Sequence, residues 1–440
     1  MTSRRGFLVG SGLTAAMSRS AVGANDKIRM GVIGFGSRGS YMGPVFANNN
    51  PDCEVVAVAD VFKPNRDRAL TAFQNPRPIA PAGTAGVPPA PTPQTAVPET
   101  YVDYRRVLER KDIDAVLIAA PDHWHAQMVI EACQAGKDAY CEKPLSNSIE
   151  AASKARDFVK ASSRVVQIGL QQRSWDHFQM CCKWVQDGRF GTIYHAALHW
   201  QGHYSRPPEQ PTDPPADLDW ELFQGPAPRK PYSPGRQRSW RGYYDYGGGI
   251  ITDQGVHIGD LVHWYMNDNQ TRSVAASAQW VRVAKPNPEQ PPDTYAITWK
   301  YDKFLMTFAN TFMTRQEYNA DHGVFFYGTT GALHVNRTSY EARPLSQGRG
   351  QSGGANQPPP QPPAPEGQYQ GQPLLRSFNY VGGPSDLAHV RNFLDCVKSR
   401  QKPITDVETG FTSTLPLLLG VLAVRTGKQY MWDGKQAVVA

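Results

Sequence analysis

The residues best suited to chemistry lie in the run Tyr246-Gly247-Gly248-Gly249-Ile250-Ile251-Thr252-Asp253-Gln254-Gly255-Val256-His257-Ile258-Gly259-Asp260. Its three consecutive glycines let a ligand approach the backbone, and a helix is predicted from Ile250. At about 100° per residue, Asp253, His257, Asp260 and Trp264 share one face. Ile251, Ile258, Val262 and Tyr265 form the apolar stripe opposite. An imidazole is the natural general base near neutral pH, and a carboxylate one turn away can orient it or bind a substrate hydroxyl. The competing reading is a solvated Asp–His pair on a helix surface. Glu142-Lys143-Pro144 is the second candidate. An amine there can hydrogen-bond a reacting hydroxyl and stabilise a developing alkoxide; a surface ion pair is the alternative. His123 and His125 flank Trp124 without metal-helix spacing or a third ligand, so contact with cofactor or substrate, or a structural role, is expected rather than metal. Arg173, within Gln171–Trp175, and Trp240, Arg241 and Tyr244 combine aromatic faces with multiple donors, the chemistry that holds sugars; an aromatic domain interface is the rival reading.

Such groups need a scaffold, and the N-terminal half supplies one. Ile28–Ile33 reads as a buried strand running into Gly34-Phe35-Gly36-Ser37-Arg38-Gly39, with a helix opening after it. A second apolar run, Cys53–Ala59, stops at Asp60. This is a dinucleotide fingerprint. Gly34 allows the tight turn, Gly36 lets the pyrophosphate reach the backbone, and Gly39 lets helix and sheet pack closely. Free N–H groups at the helix start hold phosphate, and Asp60 can accept from the adenosine ribose. An acid there repels a 2′-phosphate, which favours NAD over NADP, although Lys63 and Arg66 lie just beyond.

Further strands are predicted at Ile113–Ala119, Asp138–Cys141 and Val165–Leu170, with helices at Ala126–Ala135 and Ser148–Ser162, the latter capped by Ser146 or Asn147. This alternation calls for a doubly wound parallel sheet. Ligands bind at the carboxyl ends of such strands, so the loop holding Pro121, Asp122 and His125 and the turn Glu142–Pro144 should face the crevice of the glycine loop. After about Gln171 the predicted strands look antiparallel, with helices at Leu387–Ser399 and Thr412–Thr426. The expected class is therefore α/β: a Rossmann domain over 25–170, then an α/β domain with an open, mainly antiparallel sheet over 171–440. Residues 74–98 and 348–371 read as low-complexity insertions, and Arg206–Arg238 as a long Pro-rich connection that shapes a private pocket.

Composition fits two globular domains: 440 residues, 40% hydrophobic and 19% charged. A net charge of +7 without a dense Lys/Arg run argues against nucleic acid as partner. The six cysteines show no zinc or C-x-x-C spacing; buried thiols are expected, with a bridge left open. Residues 1–24 carry Ser3-Arg4-Arg5-Gly6-Phe7-Leu8, a twin-arginine export pattern, with small residues before Asn25 for cleavage. The apolar part is too short to span a bilayer, so a periplasmic or extracytoplasmic protein without stable membrane insertion is expected. That route carries folded proteins, so export beside a nucleotide fingerprint implies a cofactor bound tightly beforehand.

In this order, Gly34-x-Gly36-x-x-Gly39, Pro121-Asp122-x-x-His125, Glu142-Lys143-Pro144 and Gly247-Gly248-Gly249 with Asp253 and His257 resemble the Gfo/Idh/MocA oxidoreductases, over Lys27 to Trp432. The resemblance implies NAD(P)-dependent hydride transfer at a sugar, glycoside or polyol carbon, without metal. It implies Lys143 and His257 at the reacting hydroxyl, His257 as proton acceptor, Asp253 binding or orienting, Glu142 on the cofactor ribose, and homo-oligomers through the open sheet. One alternative uses the same residues, a glycoside hydrolase or lyase that oxidises its substrate transiently with bound NAD; a second, a non-catalytic sugar-binding protein, is opposed by the presence of Lys143, Asp253 and His257.

Overall fold

The computed structural model describes residues 27–76, 91–267, 275–283, 287–311, 322–344, 374–377 and 384–440. The expected leader, positions 77–90 of the first insertion and the second insertion lie outside them. The first domain runs β1 (Ile28–Ile33), α1 (Ser37–Asn49), β2 (Cys53–Ala59), α2 (Lys63–Ala72), β3 (Glu99–Tyr101), α3 (Arg105–Glu109), β4 (Ala115–Ile118), α4 (Asp122–Gln134), β5 (Asp138–Cys141), α5 (Ile149–Ala161) and β6 (Val166–Ile168). Its strands form one parallel sheet in the order β3-β2-β1-β4-β5-β6. Both faces of a parallel sheet are covered by helices, which is why these strands read as unbroken apolar runs. Along β4, Val116 and Ile118 face the core shared with α4 and α5, while Ala115 and Leu117 face the core shared with α1.

The second part runs α6 (Asp176–Gln186), β7 (Ile193–Gln201), α7 (Trp220–Gln224), α8 (Pro234–Arg238), α9 (Ile250–Asp253), α10 (Gly255–Tyr265), β8 (Ala275–Val281), β9 (Thr294–Lys300), β10 (Leu305–Thr311), β11 (His322–Gly328), β12 (Gly331–Val335), β13 (Ser339–Pro344), β14 (Leu374–Ser377), α11 (Pro384–Ser399), α12 (Val407–Thr426), β15 (Tyr430–Trp432) and β16 (Ala437–Val439). Its ten strands order as β14-β13-β12-β11-β7-β10-β9-β8-β15-β16, antiparallel except where β10 meets β7. The expected class, a parallel Rossmann sheet joined to an open, mainly antiparallel one, is the fold observed.

Several boundaries move. Helix α4 starts at Asp122, so Asp122, His123 and His125 occupy its first turn rather than a loop; Pro121, extended at φ −61°, is its N-cap. Helix α5 is capped by Ser148, whose Oγ accepts from the Ala151 N–H, and not by Ser146 or Asn147. Helix α12 starts at Val407, five residues before the Thr412 expected, because the Asp406 carboxylate caps it, and it ends at left-handed Gly427 as expected. It is apolar and long enough to cross a membrane, but it lies largely buried between α5, α10 and β8.

The boundary expected at residue 171 does not divide the packing. Helix α11 returns to the first domain, where Val390, Phe393 and Leu394 close the sheet face beside α1. The Phe393 ring meets Phe46 and Tyr140 edge-on at 6.0 and 5.9 Å. Arg391 and Lys398 on α11 clasp Asp52, in the turn before β2, at 2.8 and 2.5 Å.

Candidate active site

The glycine turn has the geometry a dinucleotide requires. Gly34 holds φ +85°, and a Cβ there would stand 2.7 Å from the Ala119 carbonyl oxygen. A Cβ on Gly39 would stand 1.9 Å from the Gly34 carbonyl oxygen, whereas nothing lies within 4 Å of one on Gly36. Gly34 and Gly39 are therefore required by the protein itself, and Gly36 borders open space. Phe35 takes part through its backbone only: its N–H donates to Asp60 Oδ2 at 2.6 Å, while its ring packs on Phe73. Asp60 also accepts from the Phe62 N–H at 2.8 Å and from Asn65 at 3.0 Å. These bonds fix its carboxylate at the end of β2, on the wall of a cavity of about 260 Å³. That cavity runs along Gly34, Gly36, Ser37 and Arg38 to Pro121 and Trp124. The backbone donors, the open space at Gly36 and the acid at the strand end fit the ribose and pyrophosphate of a dinucleotide.

The far wall of this cavity comes from the Pro-rich connection. Leu218, Leu222, Phe223, Gln237 and Arg238 of this connection close it, together with Trp240 and Arg241 just beyond. Backbone hydrogen bonds pin the segment beside the strand end: Lys63 N–H to Asp217 at 2.9 Å and Asp219 N–H to Val61 at 3.1 Å. Trp124 Nε1 donates to the Phe223 carbonyl at 3.0 Å. Behind it, Trp220, Phe223, Tyr232 and Tyr246 form their own small core. Sequence reading expected a private pocket here but could not see that this strap lies over the nucleotide cleft, because proline-rich chain carries no period.

A second cavity of about 380 Å³ continues from the first and shares Ser37, Arg38, Ala119, Ala120, Trp240 and Arg241 with it. Lys143, Asp253 and His257 meet there. Lys143 stands just after β5 and its Nζ lies 2.6 Å from Asp253 Oδ1 and 2.6 Å from the Asp253 carbonyl oxygen. The same carboxylate accepts from Arg241 Nε at 3.3 Å, Gln254 Nε2 at 2.9 Å and the Tyr204 hydroxyl at 2.5 Å. Burial would raise this acid, but Lys143 and Arg241 outweigh burial and hold it below the usual carboxylate range.

Asp253 and His257 do not form a hydrogen-bonded pair. The predicted single helix is split at Gln254 into α9 and α10, and Asp253 is committed to Lys143, Arg241 and Tyr204. His257 is buried, and its Nδ1 has no partner among the described residues. Burial, and then the cations Lys143, Arg337 and Arg38, push its ring well below the ordinary histidine range. The ring is therefore a neutral imidazole near neutral pH, and the surrounding cations let it hold an added proton only in passing.

The remaining expected residues divide. Glu142 is buried and accepts from Arg38 Nε at 2.7 Å, with Asp386 of α11 at 3.7 Å from the same guanidinium. His125 sits between the carbonyls of Pro144 (2.6 Å) and Ala120 (2.8 Å), which ties α4 to the turn bearing Lys143. Asp122, Trp240 and Arg241 line the second cavity. Arg173 and Tyr244 do not. Arg173 is buried on Asp260, with Nη2 2.6 Å from Oδ1, and the Tyr244 ring lies under Arg425 at 5.1 Å. Asp260, expected on the same face as Asp253, thus serves the interior, where it also accepts from Ser413 at 2.6 Å. Tyr204 and Arg337 also line the cavity and were not expected; Gln254, inside the predicted helix, and Gln171, inside the donor-rich run, line it too without having been singled out. The six cysteines are free and buried.

Residues 28–170 match the family described as oxidoreductase family, NAD-binding Rossmann fold, and residues 178–334 match the GFO/IDH/MocA C-terminal domain. Among named proteins, the chain is 29% identical to the uncharacterized oxidoreductase YrbE of Bacillus subtilis (strain 168), over 52% of this chain and 57% of that protein. It is 26% identical to levoglucosan dehydrogenase of Pseudarthrobacter phenanthrenivorans, over 43% of this chain and 40% of that one. It is 30% identical to a glycosyl hydrolase family 109 protein of Shewanella sp. (strain W3-18-1), over 40% and 37%. The chain thus spans about half or less of the length of these relatives. Two solved structures share the fold over nearly the whole chain. Levoglucosan dehydrogenase with NADH and levoglucosan has a TM-score of 0.60 at 18% identity, covering 94% of this chain and 99% of that one. The WlbA dehydrogenase of Bordetella pertussis with NADH and UDP-GlcNAcA has a TM-score of 0.61 at 18% identity, covering 92% and 99%. Fingerprint, crevice and both domain matches lead to one assignment: the chain belongs to the Gfo/Idh/MocA family of NAD-binding oxidoreductases.

Proposed function

We propose that this protein oxidises or reduces a CH–OH carbon of a sugar, glycoside or polyol with bound NAD, after export in folded form. One observation carries the reading: Lys143 of the first domain and Asp253 and His257 of the second meet in a cavity continuous with the nucleotide cleft. The dinucleotide, when bound, supplies the hydride chemistry. Lys143, held by Asp253, donates to the reacting oxygen. His257, neutral, takes the hydroxyl proton. Trp240 and Arg241 offer a stacking face and donors to the sugar ring. Asp60 at the β2 end favours NAD over NADP. The strap across the cleft supports a cofactor retained through turnover, as export with a loaded nucleotide requires. The open sheet face, where Val281 and Leu305 are exposed, supports a homo-oligomer through that sheet.

The test is to release the nucleotide from purified protein with acid, identify it, and screen sugars for a change at the reduced-nicotinamide absorbance band. Protein that carries no nucleotide and binds none would end the proposal. The resemblance to glycosyl hydrolase family 109 proteins favours a second reading, transient oxidation coupled to glycoside cleavage. Free sugar released from a nitrophenyl glycoside without net reduced nucleotide would select it.

A further inference from the structure

Three carboxyls line the reaction cavity: Asp253 is held by Lys143 and Glu142 by Arg38, while Asp122 has no such partner and no part in this scheme. Asp122 lines the wall that also carries Lys143, Arg241, Asp253 and His257. It is 3% exposed, and its Oδ2 has no hydrogen-bond partner among the described residues. A buried carboxylate oxygen without a donor is costly, so its presence needs a reason. Oδ2 lies against the glycine run: a Cβ on Gly247 would stand 3.3 Å from it. The charges facing Asp122 are Lys143 after β5, Arg241 before the glycine run and Asp253 in α9. On its own helix, His123 is pushed down to about 4 and His125 is also lowered, both first by burial.

Asp253 and His257 are poor places to leave a proton. Asp253 is locked as a carboxylate by Lys143 and Arg241. His257 as an imidazolium would add a charge beside Lys143, Arg337 and Arg38. Burial pushes the Asp122 carboxyl up to about 7, against the pull of Lys143 and Arg241. Asp122 and Asp253 thus have affinities driven apart within one cavity, which marks a division of labour, and a group poised near the working pH exchanges protons both ways.

We infer that Asp122 is the proton-holding residue of the reaction: the substrate hydroxyl proton, taken up by His257, passes to the Asp122 carboxylate directly or through one water and is returned from it in the reverse direction. The step balances. The C–H bond breaks and its electron pair leaves as hydride to the bound nicotinamide. The O–H bond breaks, its electron pair closes the C=O, and its proton ends on Asp122. One positive and one negative charge vanish together, so the net charge of the cavity is unchanged. This inference rests on the oxidoreductase reading of the same site.

Its test compares the holoprotein and Asp122→Asn, an isosteric change, by infrared difference titration and by pH-dependent turnover. The wild type should show a protonated-carboxyl band lost between about pH 6 and 8, and D122N should lack it. Sugar oxidation should rise through about pH 7 in the wild type. D122N should lose that limb, with kcat down about 10²-fold and sugar KM within about twofold, in line with general acid–base effects. A band unchanged in D122N, or a variant that keeps the limb and a rate within about threefold, would overturn the inference. The infrared arm needs no turnover. Wild-type protein inactive on every sugar would count against the oxidoreductase reading, while the band alone still decides where the proton rests.

Discussion

Lys143 and Asp253 stand on different domains and are closed into one ion pair, with Nζ 2.6 Å from Oδ1 and side chains only 10% and 6% exposed. The pair joins the end of β5 to α9 across the wall of the second cavity. Lys143→Met keeps most of the length of the side chain and removes the charge. Arg241 and Tyr204 remain on Asp253, so the stability loss should stay at about 1–3 kcal/mol, the cost of an unmade buried hydrogen bond. Turnover should fall at least about 10²-fold, since the donor to the reacting oxygen is gone. Thermal melting and single-turnover reduction of bound nucleotide check the two numbers separately. Sugar-dependent turnover at the wild-type rate would remove Lys143 from the chemistry and favour a sugar-binding protein.

Glycine 36 and glycine 39 should fail differently when changed to alanine. A Cβ on Gly39 collides with the Gly34 backbone, so Gly39→Ala must distort the turn, lowering the melting temperature as well as nucleotide content. A Cβ on Gly36 meets no protein atom, so Gly36→Ala should melt like the wild type and yet carry little nucleotide. Equal nucleotide content in Gly36→Ala and wild type would mean that the pyrophosphate does not pass over this residue.

Much of this was legible in the chain because the constraints are local. The glycine turn, the apolar strands and the acid ending the second strand are each set by a few neighbouring residues. What could not be read depends on contacts between distant segments. The amphipathic face of α11 announces that it needs a partner, but nothing in it says that the partner is the Rossmann sheet over 200 residues earlier. The Asp253–His257 spacing suggested a pair; the break at Gln254 and the claims of Lys143, Arg241 and Tyr204 on Asp253 undo it. Arg173 was chosen for its type and aromatic neighbours, and a buried acid far along the chain has already taken it.

The clasp on Asp52 makes a prediction about acid. Burial raises this carboxyl, but Arg391 and Lys398 on α11 win and bring it down to about 2. Its folded value lies below the unfolded value of about 3.9. It therefore contributes stability that is fully present above about pH 4 and disappears as pH falls toward 2. Asp52→Asn should lower the melting temperature at pH 7 and narrow its gap from wild type as the buffer is acidified to pH 3. A gap independent of pH would show that the clasp holds α11 by shape and not by charge.

The strap over the nucleotide cleft predicts slow cofactor exchange. Phe223→Ala removes a ring from the cavity wall and from the small core behind it, and Trp124→Phe removes the indole donor to the Phe223 carbonyl. Both should let nucleotide escape during gel filtration while the circular dichroism of the two sheets stays intact. Their off-rates, followed by displacement with a fluorescent analogue, should exceed the wild-type rate by about tenfold, which corresponds to about 1.4 kcal/mol of lost restraint. Wild-type retention in both variants would show that the strap rests on the cleft without closing it.

Arg173 tests the line between a residue that looks functional and one that is. Its guanidinium grips Asp260 from two nitrogens, Nε at 2.9 Å and Nη2 at 2.6 Å, and the acid is shared with Ser413. Neither charge reaches the cavity. Removing one member of such a buried pair strands the other, which typically costs about 3–5 kcal/mol. Arg173→Gln should therefore lower the melting temperature sharply, and the double change with Asp260→Asn should recover part of the loss because no lone charge is left inside. At a temperature where the single variant is still folded, its sugar KM should match the wild type. A raised KM with an unchanged melting temperature would return Arg173 to the substrate and contradict the burial of its partner.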